Sequence, residues 1–363
     1  MRSRGAVAAL AFGGVLAGLL IAEGVLRVAT DPLFPRGAGY STIEWIVFDP
    51  VLAWRNVPGI WFSEESTDDG GTRRVELRIN ARGFRGPEVA TDRPDGAIRI
   101  VCLGDSGTFG VKNDPLPTGP RPRWVPIVSY PEKLAGLLHR ENQSHVEVVN
   151  AGVIGYSSSH GLRQLVVQVL PLEPDIVTVR FGANDVSSSW APTRRALEPD
   201  NPLTRWMLYR FHSWKLVRLS LAAYQALGPF QSDEADLPWT SDERFRRNLE
   251  RIIELGDAHG FRVLLLDYPL PEPKPSAPPL RAERQRQKRQ AVGRLMPLLY
   301  EAAARGGVPV VDTREAFAQH PERLFNKTDF VHPNARGAEL IAERIFEELL
   351  ALGWLDPEPA GGH

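Results

Sequence analysis

A single cysteine, Cys102, occurs in the 363 residues, so no disulfide can form within the chain and no zinc site can be built from thiolates. One cysteine fits either a reducing or an oxidising compartment. Charge of one sign is also missing: 43 Lys and Arg against 44 Asp and Glu leave a formal net charge of −1 and a pI of about 6.7. That removes the electrostatic ground for nucleic acid as a partner, because such domains carry a strong basic excess. H-E-x-x-H is absent and the eight histidines are scattered, so a metal hydrolase is not indicated, and no metal or organic cofactor is implied. Neither G-x-G-x-x-G nor a G-K-[ST] ending occurs in the glycine-rich turn at 104–110, which excludes the common phosphate cradles there. No internal repeat is visible. What remains is ordinary globular composition, 43% hydrophobic and 24% charged, with ample material for a large core.

Location is addressed by the first residues. Arg2 and Arg4 precede Ala6–Ala22, a run without charge and close to the lower limit for a membrane-spanning helix. The apolar pattern continues past Glu23 through Val25, Leu26 and Val28. Residues 1–30 are expected to be an uncleaved signal anchor, with secretion after signal cleavage as the alternative. The arginines predict a cytoplasmic N-terminus and an extracytoplasmic remainder, periplasmic or extracellular.

Residues 31–96 read as a β-rich lead-in. Val75, Leu77 and Ile79 alternate as in a half-buried strand, and the scattered tryptophans Trp45, Trp54 and Trp61 are expected in a core rather than against sugar faces. From residue 97 to 352 the rhythm changes. Apolar runs at 98–104, 146–150, 175–182, 261–267 and 308–312 alternate with segments of helical spacing, ending in a helix from about Ala335 to Leu352. The expected fold is an α/β/α sandwich around a parallel sheet of about five strands. Two insertions interrupt it, a Pro-rich one at 112–129 and one at 187–240 that carries Met207, Phe211, Trp214, Val217, Leu221 and Tyr224 on one helical face. That helix is expected to cap the domain; lying on lipid is the alternative. Residues 353–363 form a tail.

In an open parallel sheet, ligands bind at the carboxyl ends of the strands. The residues there are Gly104-Asp105-Ser106 after the first strand, Asn150 to Gly155 after the second, Gly182-Ala183-Asn184-Asp185 after the third, and Asp329 with His332 near the C-terminus. Ser106 could be a helix cap, a phosphate ligand or a nucleophile. A nucleophile needs a base, a base needs an orienting acid, and the tetrahedral oxyanion needs fixed donors. His332, Asp329, the Ser106 and Gly155 backbone N–H groups and the Asn184 amide supply those types. Gly152 competes with Gly155 for the oxyanion role. Arg180, in an otherwise apolar strand, would meet an anionic substrate, sit at a sheet edge or form a buried ion pair. Asp185 is expected to hold its loop, and His160, His212, His259 and His320 to be surface or structural residues.

GDS, the glycine of the second block, GAND and DFVH, in that order over residues 97–350, resemble the SGNH (GDSL-type) hydrolase family. IN-x-x-GFRG at 79–86 resembles a membrane-anchored bacterial subgroup. The resemblance implies a flavodoxin-like sheet, with Ser106 as nucleophile, His332 as base, Asp329 as its acid, and Ser106, Gly155 and Asn184 as oxyanion donors. The function expected is a serine esterase acting on small acyl esters, including O-acetyl groups, of envelope carbohydrate or lipid. The alternatives are an O-acyltransferase using the same triad and a catalytically silent glycan-binding protein on the same fold.

Overall fold

The computed structural model describes residues 2–29, 45–68, 71–114, 123–187, 210–211, 213–227, 240–274, 276–320, 322–327 and 329–356. The chain divides into two compact units, residues 1–55 with 192–232, and residues 56–191 with 233–363. The boundary at 55/56 falls inside the stretch read from sequence as one lead-in.

In the first unit α1 (Arg2–Ala29) packs on α5 (Lys215–Leu227). Their joint explains the acid in the apolar run. Glu23 is buried and accepts the backbone N–H groups of Lys215 and Leu216, both at 3.0 Å, so it caps the start of α5, and Arg27 pairs with it at 2.7 Å. Among the described residues no helix is long and apolar enough to cross a membrane, and the expected transmembrane anchor is therefore not supported. A buried carboxylate that caps a neighbouring helix is a feature of packing in protein, and it sits where the run was read as continuing. The antiparallel strands β1 (Ile46–Asp49) and β2 (Ala53–Asn56) pair nearby in sequence, with Trp45 and Trp54 buried as expected. Of the second insertion, Met207 and most of 188–239 lie outside the described residues.

The second unit begins with the hairpin β3 (Trp61–Asp68) and β4 (Gly71–Arg78). Val75, Leu77 and Ile79 are buried and alternate with exposed neighbours, whereas Trp61 lies 65% exposed on the outer strand. The main sheet contains β5 (Ile98–Gly104), β8 (Val146–Gly152), β9 (Ile176–Arg180), β10 (Arg262–Leu266) and β11 (Val310–Val311). All its pairings are parallel, in the order β11-β10-β9-β5-β8. The five-stranded parallel sheet was legible because these strands are buried on both faces and read as continuous apolar runs.

Alternate side chains of β5 face opposite layers. Ile98, Ile100 and Cys102 join a core with Tyr130, Leu134 and Leu138 of α3 (Tyr130–Arg140) and Leu340, Ile341 and Ile345 of α9 (Ala335–Ala351). Burial in that layer pushes the Cys102 thiol up to about 12, so it is packing material. The second layer is formed by α4 (Ser158–Gln164), α6 (Asp242–His259) and α7 (Pro279–Gly306), which pack on one another in that order. The first chain crossover to either side of β5 leads outward in opposite directions, to β8 and to β9. The carboxyl end of β5 is thus the switch point of the sheet, and Ser106 stands there.

Candidate active site

Gly104 ends β5, and Asp105 turns the chain into the four-residue helix α2 (Ser106–Phe109). Asp105 caps it by accepting the Gly107 N–H at 2.8 Å. The other end of α2 is held as tightly. Asn150 Nδ2 donates to the carbonyls of Thr108 (3.0 Å) and Phe109 (3.3 Å). Arg85, the arginine of the GFRG stretch, donates to the carbonyls of Phe109 and Gly110, both at 2.6 Å, and of Ile127 at 2.8 Å. The Thr108 and Phe109 carbonyls end a short helix, where buried carbonyls need donors from outside it. Burial lowers the Arg85 pKa to about 10, against the opposing pull of Glu132, so Arg85 stays a cation at neutral pH. Its role was not read from the sequence. The signal available was an arginine between glycines just before the first core strand.

Ser106 Oγ lies 2.7 Å from His332 Nε2, and the other ring nitrogen, Nδ1, is hydrogen-bonded to Asp329 Oδ2. All three are buried, Ser106 at 4% exposure, His332 at 3% and Asp329 at 6%. The structure thus brings Ser106 to a pair of residues more than 220 positions away along the chain. Asp329 turns back on its own loop, accepting the Val331 N–H at 2.8 Å and the His332 N–H at 3.3 Å through Oδ1. Its Oδ2 also accepts the Asn113 N–H at 3.1 Å. Burial works to raise the Asp329 pKa. The His332 charge and hydrogen bond, with the Val331 and Asn113 N–H groups, outweigh burial and hold it below the usual carboxylate range. Asp329 is therefore ionised at neutral pH.

Asn113 belongs to the hairpin β6 (Val111–Asp114) and β7 (Arg123–Pro126), which is the Pro-rich insertion. On β7, Trp124 meets the His332 ring edge-on, with centroids 5.6 Å apart and planes at 79°. The insertion so contributes a donor to the acid and a wall to the base. From sequence it read only as an interruption of the fold.

The second block resolves two glycines. Gly152 donates its N–H to Asn150 Oδ1 at 2.9 Å, and a Cβ there would stand 2.2 Å from the Phe109 backbone nitrogen, so it is a packing glycine with its donor engaged. Gly155 has φ +82, a left-handed conformation that glycine adopts without strain, in the turn that follows β8. Asn184 Nδ2 donates to the Tyr156 carbonyl at 3.0 Å, which ties the GAND loop to the residue after Gly155. Asp185, wholly buried, accepts the Ser158 N–H at 3.0 Å and the Ser158 hydroxyl at 2.6 Å. Burial raises its pKa to about 6, further than the Ser158 bonds can offset. His160, also buried, is the reciprocal partner of the Ser157 cap of α4, and burial with Arg163 nearby keeps it neutral.

Arg180 ends β9, an interior strand of the sheet, so it is not at an edge. Its guanidinium is fully buried, 3.9 Å from the Tyr268 ring centroid and 4.0 Å from Asp105 Oδ1. The Tyr268 hydroxyl donates to Asp105 Oδ2 at 3.1 Å. A Cβ at residue 107 would stand 2.4 Å from Arg180 Nη1. The cation underlies the nucleophile turn, and glycine at 107 makes room for it. Among the described residues no group of three or more His, Cys, Asp or Glu side chains is placed to hold a metal ion.

A serine, a histidine and an ionised carboxylate in file at the switch point of a parallel sheet are the equipment of a hydrolase. The family profile of GDSL-like lipases and acylhydrolases matches residues 102–340, and the chain belongs to that family of ester hydrolases. It is similar to the lipase/acylhydrolase from Enterococcus faecalis, with 24% identity over 72% of this chain and 100% of that one, at a TM-score of 0.44. It is similar also to Axe2, an acetylxylan esterase from Geobacillus stearothermophilus (18% identity, 69% and 94% of the chains, TM-score 0.43). A third is LAE5, an α/β hydrolase from the metagenome of Lake Arreo, Spain (21%, 71% and 97%, TM-score 0.44). No curated protein matches the chain.

Proposed function

We propose that the protein is a serine esterase that cleaves small acyl esters through a covalent acyl-enzyme, with Ser106 as nucleophile, His332 as general base and Asp329 as the orienting acid. The observation that carries this reading is the 2.7 Å contact between Ser106 Oγ and His332 Nε2, with an ionised Asp329 on Nδ1. Attack of Oγ on the ester carbonyl passes the hydroxyl proton to Nε2, and the Asp329 charge stabilises the imidazolium. The oxyanion is received by the backbone N–H groups of Ser106 and Gly155 and by the Asn184 amide. Collapse expels the alcohol, which takes its proton from His332. Water then repeats the sequence on the acyl-enzyme, with His332 again as base, and releases the carboxylic acid.

O-acetyl groups on envelope carbohydrate are the substrates we test first, and the catalytic unit is assigned to the extracytoplasmic side. The support for that location is the charge pattern alone, Arg2 and Arg4 before an uncharged run. A fusion to alkaline phosphatase, active only after export, checks it.

The catalytic reading is tested without a substrate. A fluorophosphonate probe should label Ser106, located by peptide mass spectrometry, and labelling should vanish in His332→Ala. Folded protein that resists the probe would favour a silent binding protein. Unlabelled protein is then assayed on p-nitrophenyl esters from acetyl to octanoyl, with and without sugar acceptors, which separates hydrolysis from transfer.

A further inference from the structure

Beside the nucleophile turn, in the same unit, a cavity of about 810 Å³ opens between the loop after β10, the first half of α7 and the segment that leads to Asp329. Its volume is in the range of small-molecule sites. The floor is apolar, built from Val292, Met296, Phe317 and Phe325, all buried. The remainder is basic: six Lys and Arg side chains line it against two Glu.

Four of those eight charges are paired with an opposite charge. Arg289 pairs with Glu272 at 2.8 Å, Arg314 with Asp267 at 2.8 Å, and Glu322 with Arg336 at 3.5 Å. Lys274 and Arg281 meet no carboxylate among the described residues, and Arg281 bonds only to the Lys327 carbonyl, at 3.2 Å. The two belong to one short stretch, the loop and first turn of α7. On that turn Leu280 is 80% exposed, more than any other large apolar side chain described. An apolar floor and two unanswered cations line one cavity, and the exposed Leu280 directly precedes Arg281 in the chain. A ligand with a chain and an anionic head satisfies both parts, burying the chain and forming charge-assisted hydrogen bonds at the head.

The cavity also shares its wall with the candidate active site. Tyr268 lines it and donates to Asp105, and Phe330 lines it next to Asp329. A methyl group on Gly182, at the head of the GAND loop, would lie 3.6–3.7 Å from Met296, Tyr268 and Val292.

We infer that this cavity binds a single-chain anionic amphiphile, an alkyl chain ending in phosphate or carboxylate, with Lys274 and Arg281 holding the head and the Met296–Phe325 floor holding the chain. The site is independent of the esterase reading, since its test is binding.

Isothermal titration of the full chain with decyl phosphate, decanoate and decyl maltoside, each below its micelle concentration, and with inorganic phosphate tests it. Saturable binding of decyl phosphate is expected, with decyl maltoside and inorganic phosphate each weaker by roughly tenfold or more. Lys274→Glu/Arg281→Glu should weaken decyl phosphate by about tenfold or more, and Lys274→Gln/Arg281→Gln by less, at an unchanged thermal transition because both side chains are exposed. Decanoate distinguishes a carboxylate head from a phosphate one, and binding of either supports the site. Equal binding of decyl maltoside, equal binding of inorganic phosphate, or an unmoved affinity in the charge-reversed variant would overturn it. Fluorophosphonate labelling is read separately, so a failed esterase and an empty cavity give different results.

Discussion

Asn184→Ala tests the proposed oxyanion donor apart from the proposed triad. The Asn184 amide has two N–H groups, and one is given to the Tyr156 carbonyl at 3.0 Å. That bond fixes the rotamer and leaves the second N–H as the one available to developing charge. Removing one such donor costs about 2.7–4 kcal/mol in the transition state, which is roughly 10²–10³ in kcat. The ground-state cost is smaller. One hydrogen bond to a carbonyl contributes about 1 kcal/mol, so Tm should fall by about 2–4 °C in a unit of this size. KM should change little, because the donor acts on charge that the substrate does not yet carry. Steady-state turnover of p-nitrophenyl acetate beside a thermal melt gives all three quantities. Asn184→Asp is the sharper control: it keeps the shape but sets an oxygen against the Tyr156 carbonyl, so its melt should fall further than that of Asn184→Ala. A loss in kcat below about threefold, with the melt displaced as expected, would remove Asn184 from the oxyanion hole and leave it a loop tie.

The remaining expectations concern packing and charge. Gly107→Ala should destabilise by roughly 1–3 kcal/mol through its contact with Arg180, and Gly107→Ala/Arg180→Met should recover part of that loss; additive urea-midpoint shifts would refute the contact. Asp185 keeps its proton to about pH 6 in the folded protein, whereas an ordinary aspartate releases it near 3.8. Between those values the native state holds the extra proton, so stability falls as pH rises through the window, by up to about 3 kcal/mol, and stays lower above it. In Asp185→Asn that slope should disappear, and a difference from wild type that does not change between pH 4 and 7 would contradict the assignment. Glu23→Ala removes the cap of α5 and should speed amide exchange at Lys215 and Leu216 by about 2–30-fold, equivalent to about 0.5–2 kcal/mol; protection unaltered at both amides would show that the cap contributes nothing.

Legibility from sequence followed the distance over which a residue's role is decided. The sheet was legible because β5, β9 and β10 are apolar on both faces, which periodicity reports directly. Ser106, Gly155, Asn184, Asp329 and His332 were named because each follows a strand or precedes a helix in a recognisable motif. What escaped was decided by partners elsewhere in the chain. Arg85 looks like one more lead-in arginine until the carbonyls of Phe109, Gly110 and Ile127 are placed around it. Arg180 left three roles open, and only its interior strand and the Asp105 and Tyr268 contacts select among them. Glu23 was noticed as an interruption in an apolar run, but its use as a cap depends on residues 192 positions away. Asn113 acts through its backbone, which no side-chain pattern can announce.

That last contact has a consequence for how such a chain can diversify. The hairpin that follows the Ser106 turn reaches across 216 positions to hold Asp329, the proposed acid, and its Trp124 borders His332. Here the Asn113 N–H ties the β6–β7 hairpin to Asp329 and its loop. A homologous hairpin grafted alone would arrive without the acid it was shaped to hold. Lineages that alter one segment should therefore alter the other, and a chimera should recover activity only when both are taken from the same parent.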